Sequence, residues 1–187
     1  MNNCYLDAEA VITFFRMTGR KHIFITGSRG SGKSHLVNNM LKHMSDSFNL
    51  LQSHRTDTPQ VVIKSNLVAD NKEFVIGLPR TSGINPASKG NNMTIIEDGF
   101  INCAIPAIDT HLDTTPERLF VIDELGYLES SCIPFQKAVE KLLDNSHVLA
   151  VIRKQSTEFL NRICNRKDVL VRSEERRVGK ECRSRWS

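Results

Sequence analysis

Apolar positions along this chain switch between two spacings, and the switching predicts the fold. Residues 6–18 place Ala10, Val11, Phe14 and Phe15 on one side of an amphipathic helix. Lys21-His-Ile-Phe-Ile-Thr26 is a short apolar run followed at once by glycines, which predicts a buried strand ending in a turn. Helical spacing returns over 32–45, with Leu36, Met40 and Leu41 facing inward. From residue 118 the alternation is regular. Leu119-Phe-Val-Ile122 predicts a strand, and Phe135, Ala138, Val139, Leu142 and Leu143 predict the stripe of a helix. Val148-Leu-Ala-Val-Ile152 predicts another strand, Phe159, Leu160 and Ile163 line a further helix, and Val169-Leu-Val171 predicts a last short strand. Strands alternating with helices imply an α/β fold with a mostly parallel sheet and helices on both faces.

The centre of the chain departs from that rhythm. Val61-Val-Ile63, Phe74-Val-Ile76 and Met93-Thr-Ile-Ile96 predict short strands separated by Gly77, Pro79, Gly83, Pro86 and Gly90. They predict a β-rich central insertion with a mobile loop near 80–92. Ile101, Ala104, Ile105, Ile108 and Leu112 follow at helical spacing, and Pro106 inside them must fall in a first turn or produce a kink.

Chemistry concentrates where the first strand meets the second helix. Gly27-Ser28-Arg29-Gly30-Ser31-Gly32-Lys33-Ser34 fits the GxxxxGK[ST] pattern of a P-loop without mismatch. Glycines let the backbone curl so that successive N–H groups point at phosphate oxygens, and the following helix adds its positive end. Lys33 then serves the β- and γ-phosphates, and the Ser34 hydroxyl coordinates Mg²⁺. His35 follows within the same nucleotide-binding run. A glycine turn that merely entered a helix would not need Lys33 and Ser34.

The second element is Leu119-Phe-Val-Ile-Asp-Glu124, an apolar strand ending in acid. Alone it is a weak signal and reads more readily as a solvated strand end. Beside a P-loop it reads as a Walker B strand whose Asp123 holds Mg²⁺ opposite Ser34, because strand ends at one sheet edge converge on the ligand crevice. Glu124 is then placed to orient and deprotonate a water attacking the γ-phosphate. Its plainer reading is a cap or a partner for a nearby base.

These residues resemble the thermophile-type small nucleoside triphosphatases, the family that includes human cancer-related nucleoside triphosphatase. The resemblance spans roughly residues 21–171. Its parts are a strand leading into the P-loop, a β-rich middle, Val121-Ile-Asp-Glu-Leu-Gly126 with Glu129 downstream, and the helix and strand that follow. It implies magnesium-dependent hydrolysis of nucleoside triphosphates with low base selectivity, Glu124 as the base and Glu129 as an additional acidic site residue. The chain departs from the family at Tyr127, where lysine is usual, at Ser34-His35, where two threonines are usual, and in the segment it adds before the first strand.

Arg153 and Lys154 follow the strand 148–152 at the same sheet edge, Arg29 lies in the P-loop and Arg80 in the central region. Each is a candidate for neutralising γ-phosphate charge, and each also reads as a solvated surface base. The six histidines show no metal-ligand spacing. The five cysteines are odd in number, stand far apart and form no CxxC pair, which favours reduced thiols in the cytoplasm. No apolar run approaches the ~20 residues of a membrane span, and no signal peptide is evident.

The net charge of +4 is concentrated at the end: from Arg172 onward six Lys or Arg stand against three acids. A nearly neutral body gives no electrostatic case for nucleic-acid binding. Residues 173–187 read as a disordered or non-native tail, similar to adaptor-derived read-through sequence, after a nucleoside triphosphatase domain over 1–172. Two rivals share the P-loop. A nucleoside or nucleotide kinase would need an acceptor pocket and an arginine-bearing lid, and a partner-activated switch would turn over slowly alone.

Overall fold

At the centre of the fold, β1 (His22–Gly27) is buried at every position but half-buried Thr26. The computed structural model describes residues 7–44, 47–68, 72–80 and 93–173. Strand β1 lies between β7 (His147–Arg153) and β8 (Val169–Ser173), parallel to both. Parallel pairing continues from β7 to β6 (Leu119–Leu125) and from β6 to β2 (Phe48–Arg55). Then β3 (Val61–Ser65), β4 (Phe74–Pro79) and β5 (Met93–Ile95) add on antiparallel. The order is β5-β4-β3-β2-β6-β7-β1-β8 in one eight-stranded sheet. The β-rich centre therefore extends the parallel sheet instead of forming a body apart.

Side chains alternate along each strand, so each strand feeds two layers. On one face Ile23, Ile25, Val121, Leu149 and Val151 pack against α1 (Ala8–Thr18) and α2 (Lys33–Met44). On the other, Phe24, Phe120, Ile122, Val148, Ala150 and Ile152 pack against α4 (Ile105–Thr114), α5 (Ile133–Asn145) and α6 (Glu158–Cys164). Each such Leu, Ile or Phe contributes about 1.5–3 kcal/mol by leaving water. Two covered faces explain why β1, β6 and β7 read as continuous apolar runs.

Three expectations shift in register. Helix α1 is capped by the Asp7 side chain and closed by Gly19 at φ 64, and buries Ala8, Val11 and Ile12. Phe14 and Phe15 are half-buried at its edge, and Ala10 is exposed. In the central helix, α3 (Glu97–Gly99) passes through a π-helical segment (Phe100–Ala104) into α4. The Ile105 N–H reaches back to Phe100 O, which adds one residue to the turn just before Pro106. The stripe is thereby rotated: Phe100, Cys103, Ala104, Ala107, Ile108 and His111 are buried, while Ile101 is 46% exposed. Third, β2 has no counterpart among the predicted strands, because Asn49, Gln52, Ser53 and His54 break its apolar pattern.

The expected loop over 81–92 and the tail over 174–187 lie outside the described residues, as do Cys4 and Cys182. Strand β8 runs to Ser173, one residue past the expected domain boundary. Cys103, Cys132 and Cys164 are free thiols. Among the described residues no helix is long and apolar enough to cross a membrane.

Candidate active site

All five parallel strands point their C-terminal ends the same way, so their last residues share one edge. In register, Gly27 of β1 stands beside Arg153 of β7, and Gln52 of β2 beside Asp123 of β6. The chain leaves β1 through a loop that needs glycine: Gly30 has φ 74 and Gly32 φ 104, both left-handed. Ser31 N–H closes on Ser28 O at 3.2 Å, and the Leu36 N–H starts the helical ladder on Gly32 O at 2.9 Å. The loop thus curls around the N-terminus of α2. The Ser31 hydroxyl faces inward and is buried, with no hydrogen-bond partner among the described residues.

Lys33 is buried at 8% exposure and folds back over the loop, its Nζ donating to Gly27 O at 3.2 Å and Ser28 O at 3.1 Å. A cavity of about 720 Å³ opens above it. Its wall is the loop (Gly27, Ser28, Arg29, Gly30 and Gly32) with Lys33, Ser34 and His35. Arg55, Glu124, Arg153, Lys154 and Gln155 complete the lining. That volume lies within the ~300–1,000 Å³ of small-molecule sites. Arg80 follows β4 and does not line it.

The Asp123 carboxylate meets Ser34 below the cavity, accepting hydrogen bonds from the Ser34 hydroxyl and from the Gln52 side chain. Burial, and then the charge of Glu124, push its pKa above the ordinary carboxylate value, while these hydrogen bonds and Lys33 oppose the rise. Two oxygen donors side by side suit a hard cation that completes its shell with substrate phosphates and water. Among the described residues no group of three or more His, Cys, Asp or Glu could cage a metal without substrate.

Glu124 lines the cavity half-buried and accepts a hydrogen bond from Arg153 Nε in an ion pair. Glu129 lies elsewhere. Its carboxylate is buried, with Oε2 accepting from the Gly126 N–H at 2.9 Å and Oε1 from the Ser53 hydroxyl at 3.1 Å. It ties the Asp-Glu-Leu-Gly turn to β2, and burial raises its pKa. Glu129 borders a second cavity of about 380 Å³, which shares Arg55, Arg153 and Gln155 with the first. The sequence pattern alone does not single out Gln52, Ser53, Arg55 or Gln155. The first three sit on the unpredicted β2, and Gln155 sits in the loop after β7.

Compared with known proteins, the chain matches the model of the NTPase family over residues 22–178. It is 27% identical over 151 residues to the nucleoside-triphosphatase THEP1 of Thermotoga sp. (strain RQ2), covering 80% of this chain and 83% of that protein. With the THEP1 of Thermotoga maritima it shares 25% identity over 150 residues, at 80% and 83% coverage. Among solved structures, THEP1 from Aquifex aeolicus aligns with a TM-score of 0.65 at 17% identity, over 82% of this chain and 90% of that one. A human cancer-related nucleoside triphosphatase aligns with a TM-score of 0.57 at 20% identity, over 81% and 87%. At such identities the structural likeness concerns the fold.

Proposed function

This chain belongs to the NTPase family, and we propose that it cleaves the β–γ bond of nucleoside triphosphates with Mg²⁺, releasing diphosphate and phosphate with little selectivity for the base. The observation that carries the reading is the meeting of Ser34 and Asp123 beneath a P-loop cavity that Glu124 also lines. The backbone N–H groups of residues 27–34 hold the phosphate oxygens, helped by the end of α2. Lys33 exchanges its loop carbonyls for phosphate oxygens. Ser34 and Asp123 would hold Mg²⁺, which when bound offsets phosphate charge. Glu124 takes the proton of the attacking water as its oxygen bonds to the γ-phosphorus and the bridging oxygen leaves with the diphosphate.

Low base selectivity accords with a cavity whose lining, among the described residues, includes no aromatic side chain other than His35 to stack on a base. Residues 1–172, with Ser173 closing β8, form the working domain in this reading, and the free thiols suit a reducing, cytoplasmic setting. The adjoining cavity is the one observation favouring a nucleotide kinase instead, since it offers room for an acceptor. The deciding experiment is phosphate release from ATP, GTP, CTP and UTP, with and without Mg²⁺ and with added nucleoside or nucleoside monophosphate. Comparable magnesium-dependent release from all four, unaffected by acceptors, supports the hydrolase. No free phosphate, with nucleoside diphosphate and a phosphorylated acceptor formed only when acceptor is added, supports the kinase.

A further inference from the structure

Strand β7 ends at Arg153, whose side chain turns back across the Asp-Glu-Leu-Gly turn. A Cβ on Gly126 would stand 2.8 Å from Arg153 Cδ and 3.3 Å from its Cγ. The arginine stem therefore occupies space that only glycine leaves. Its Nε donates to Glu124 Oε1, and both side chains remain in part solvent-accessible, at 47% and 21% exposure. The carboxylate assigned as base is thus occupied by a guanidinium on the wall of the nucleotide cavity. Both partners are accessible enough to separate without unpacking the core. A γ-phosphate carries more negative charge than a carboxylate and accepts the same bidentate pair of hydrogen bonds, so it competes for the guanidinium.

We propose that Arg153 senses the γ-phosphate of the substrate by exchanging partners. In the geometry described it holds Glu124. A bound nucleoside triphosphate draws the guanidinium to its γ-phosphate, and the released Glu124 carboxylate turns to the attacking water. A diphosphate offers no γ-phosphate, so the ion pair stays closed. Triphosphate is thereby distinguished from diphosphate, and the base is freed only when there is a bond to cleave. Gly126 is the seat of the device. This rests on the proposed nucleotide site and goes beyond it by assigning the discrimination to one residue pair.

The test compares binding of ADP and of a non-hydrolysable ATP analogue, both with Mg²⁺, to the full chain, Arg153→Ala and Gly126→Ala. Phosphate release from ATP is measured alongside. For Arg153→Ala, ADP affinity should stay within about twofold while analogue affinity falls about tenfold or more, as expected for a lost hydrogen bond to a charged group. Release should fall with it. Gly126→Ala should shift the same ratio in the same direction with its melting temperature kept, since the added methyl meets the flexible arginine stem and not backbone. The proposal is overturned if Arg153→Ala weakens both ligands equally or neither. It is also overturned if release rises at unchanged analogue affinity, which would make the arginine only a brake. If the parent binds the analogue yet releases no phosphate, the hydrolase reading fails while the affinity ratio still decides the role of Arg153.

Discussion

Ser34, at the end of the glycine loop, donates its hydroxyl hydrogen bond to Asp123, at the end of β6. Ser34 lies in the first turn of α2, just after β1, and β1 is separated from β6 in the sheet by β7. Only the shared edge of a parallel sheet brings them together. If they form a cation site, the two should act as one. Asp123→Asn and Ser34→Ala should each raise the Mg²⁺ concentration needed for half-maximal phosphate release, and the double variant should cost less than the product of the single effects. Fully multiplicative effects in a Mg²⁺ titration would mean that the residues do not share an ion.

The opposite end of β1 predicts a pH-dependent stability. His22 is fully buried. Its pKa is lowered to about 4, by burial first, against the opposing charge of Asp168, whose Oδ2 lies 3.4 Å from Nε2; Arg166 and His147 add smaller lowering effects. The unfolded chain takes up this proton near ~6.5. Stability is therefore complete above about pH 6.5 and falls as pH drops toward 4, by up to about 3 kcal/mol. Asp168 acts lower: Arg166 holds it at about 2, so its contribution is lost only as pH falls from ~4 toward 2. Denaturant melts across pH 4–7 should show the first slope in the parent and a flatter one in His22→Leu. A parent flat over that window contradicts the neutral, buried imidazole.

A polar network anchors the start of β2. The Ser146 hydroxyl donates to Pro116 O at 2.8 Å, so at 2.6 Å it accepts from His111 Nε2. His111 Nδ1 is then the acceptor for Asn49 Nδ2 at 2.8 Å, and Asn49 also donates to Thr115 Oγ1 at 2.8 Å. Asn49→Ala leaves His111 Nδ1 only the longer 3.5 Å contact with the Thr115 hydroxyl and should cost about 1–3 kcal/mol in equilibrium unfolding. Asn49→Asp should cost more, because it sets an acceptor against an acceptor. Unchanged stability in both would show that water serves these groups as well.

These cases separate what could be read along the chain from what could not. The glycine loop and the Asp-Glu pair are each contiguous, and β1, β6 and β7 carry unbroken apolar runs because both faces are covered. Strand β2 was illegible for the reason that makes it useful. Asn49 pairs with His111, Gln52 with Asp123 and Ser53 with Glu129, so polar residues stand where a strand pattern expects apolar ones. Those partners lie 62 to 76 positions away, beyond any local spacing rule. The stripe of α4 was misplaced by one residue, because a π-helical turn has no signature in apolar periodicity. The place of Glu129 beneath the turn, beside the second cavity, likewise depends on β2.

The tail gives a simpler test. Residues 174–187 contain few apolar side chains to bury. Their deletion, leaving β8 whole at Ser173, should change phosphate release and melting temperature little. A fall of several degrees or a large loss of turnover would show that the segment packs or acts.

Hydrolysis as proposed depends most directly on Glu124. Glu124→Gln keeps the shape of the side chain and removes the proton acceptor. Nucleotide binding depends on Lys33, the loop N–H groups and the cation, so affinity for ATP with Mg²⁺ should hold or tighten. Phosphate release under single-turnover conditions should fall by roughly 10²–10⁴, the usual contribution of a general base. That combination, retained binding with lost chemistry, is the predicted result. A variant that binds ATP normally and keeps more than about a third of the parent rate, far outside that range, would contradict it, because water would then be activated by some other group.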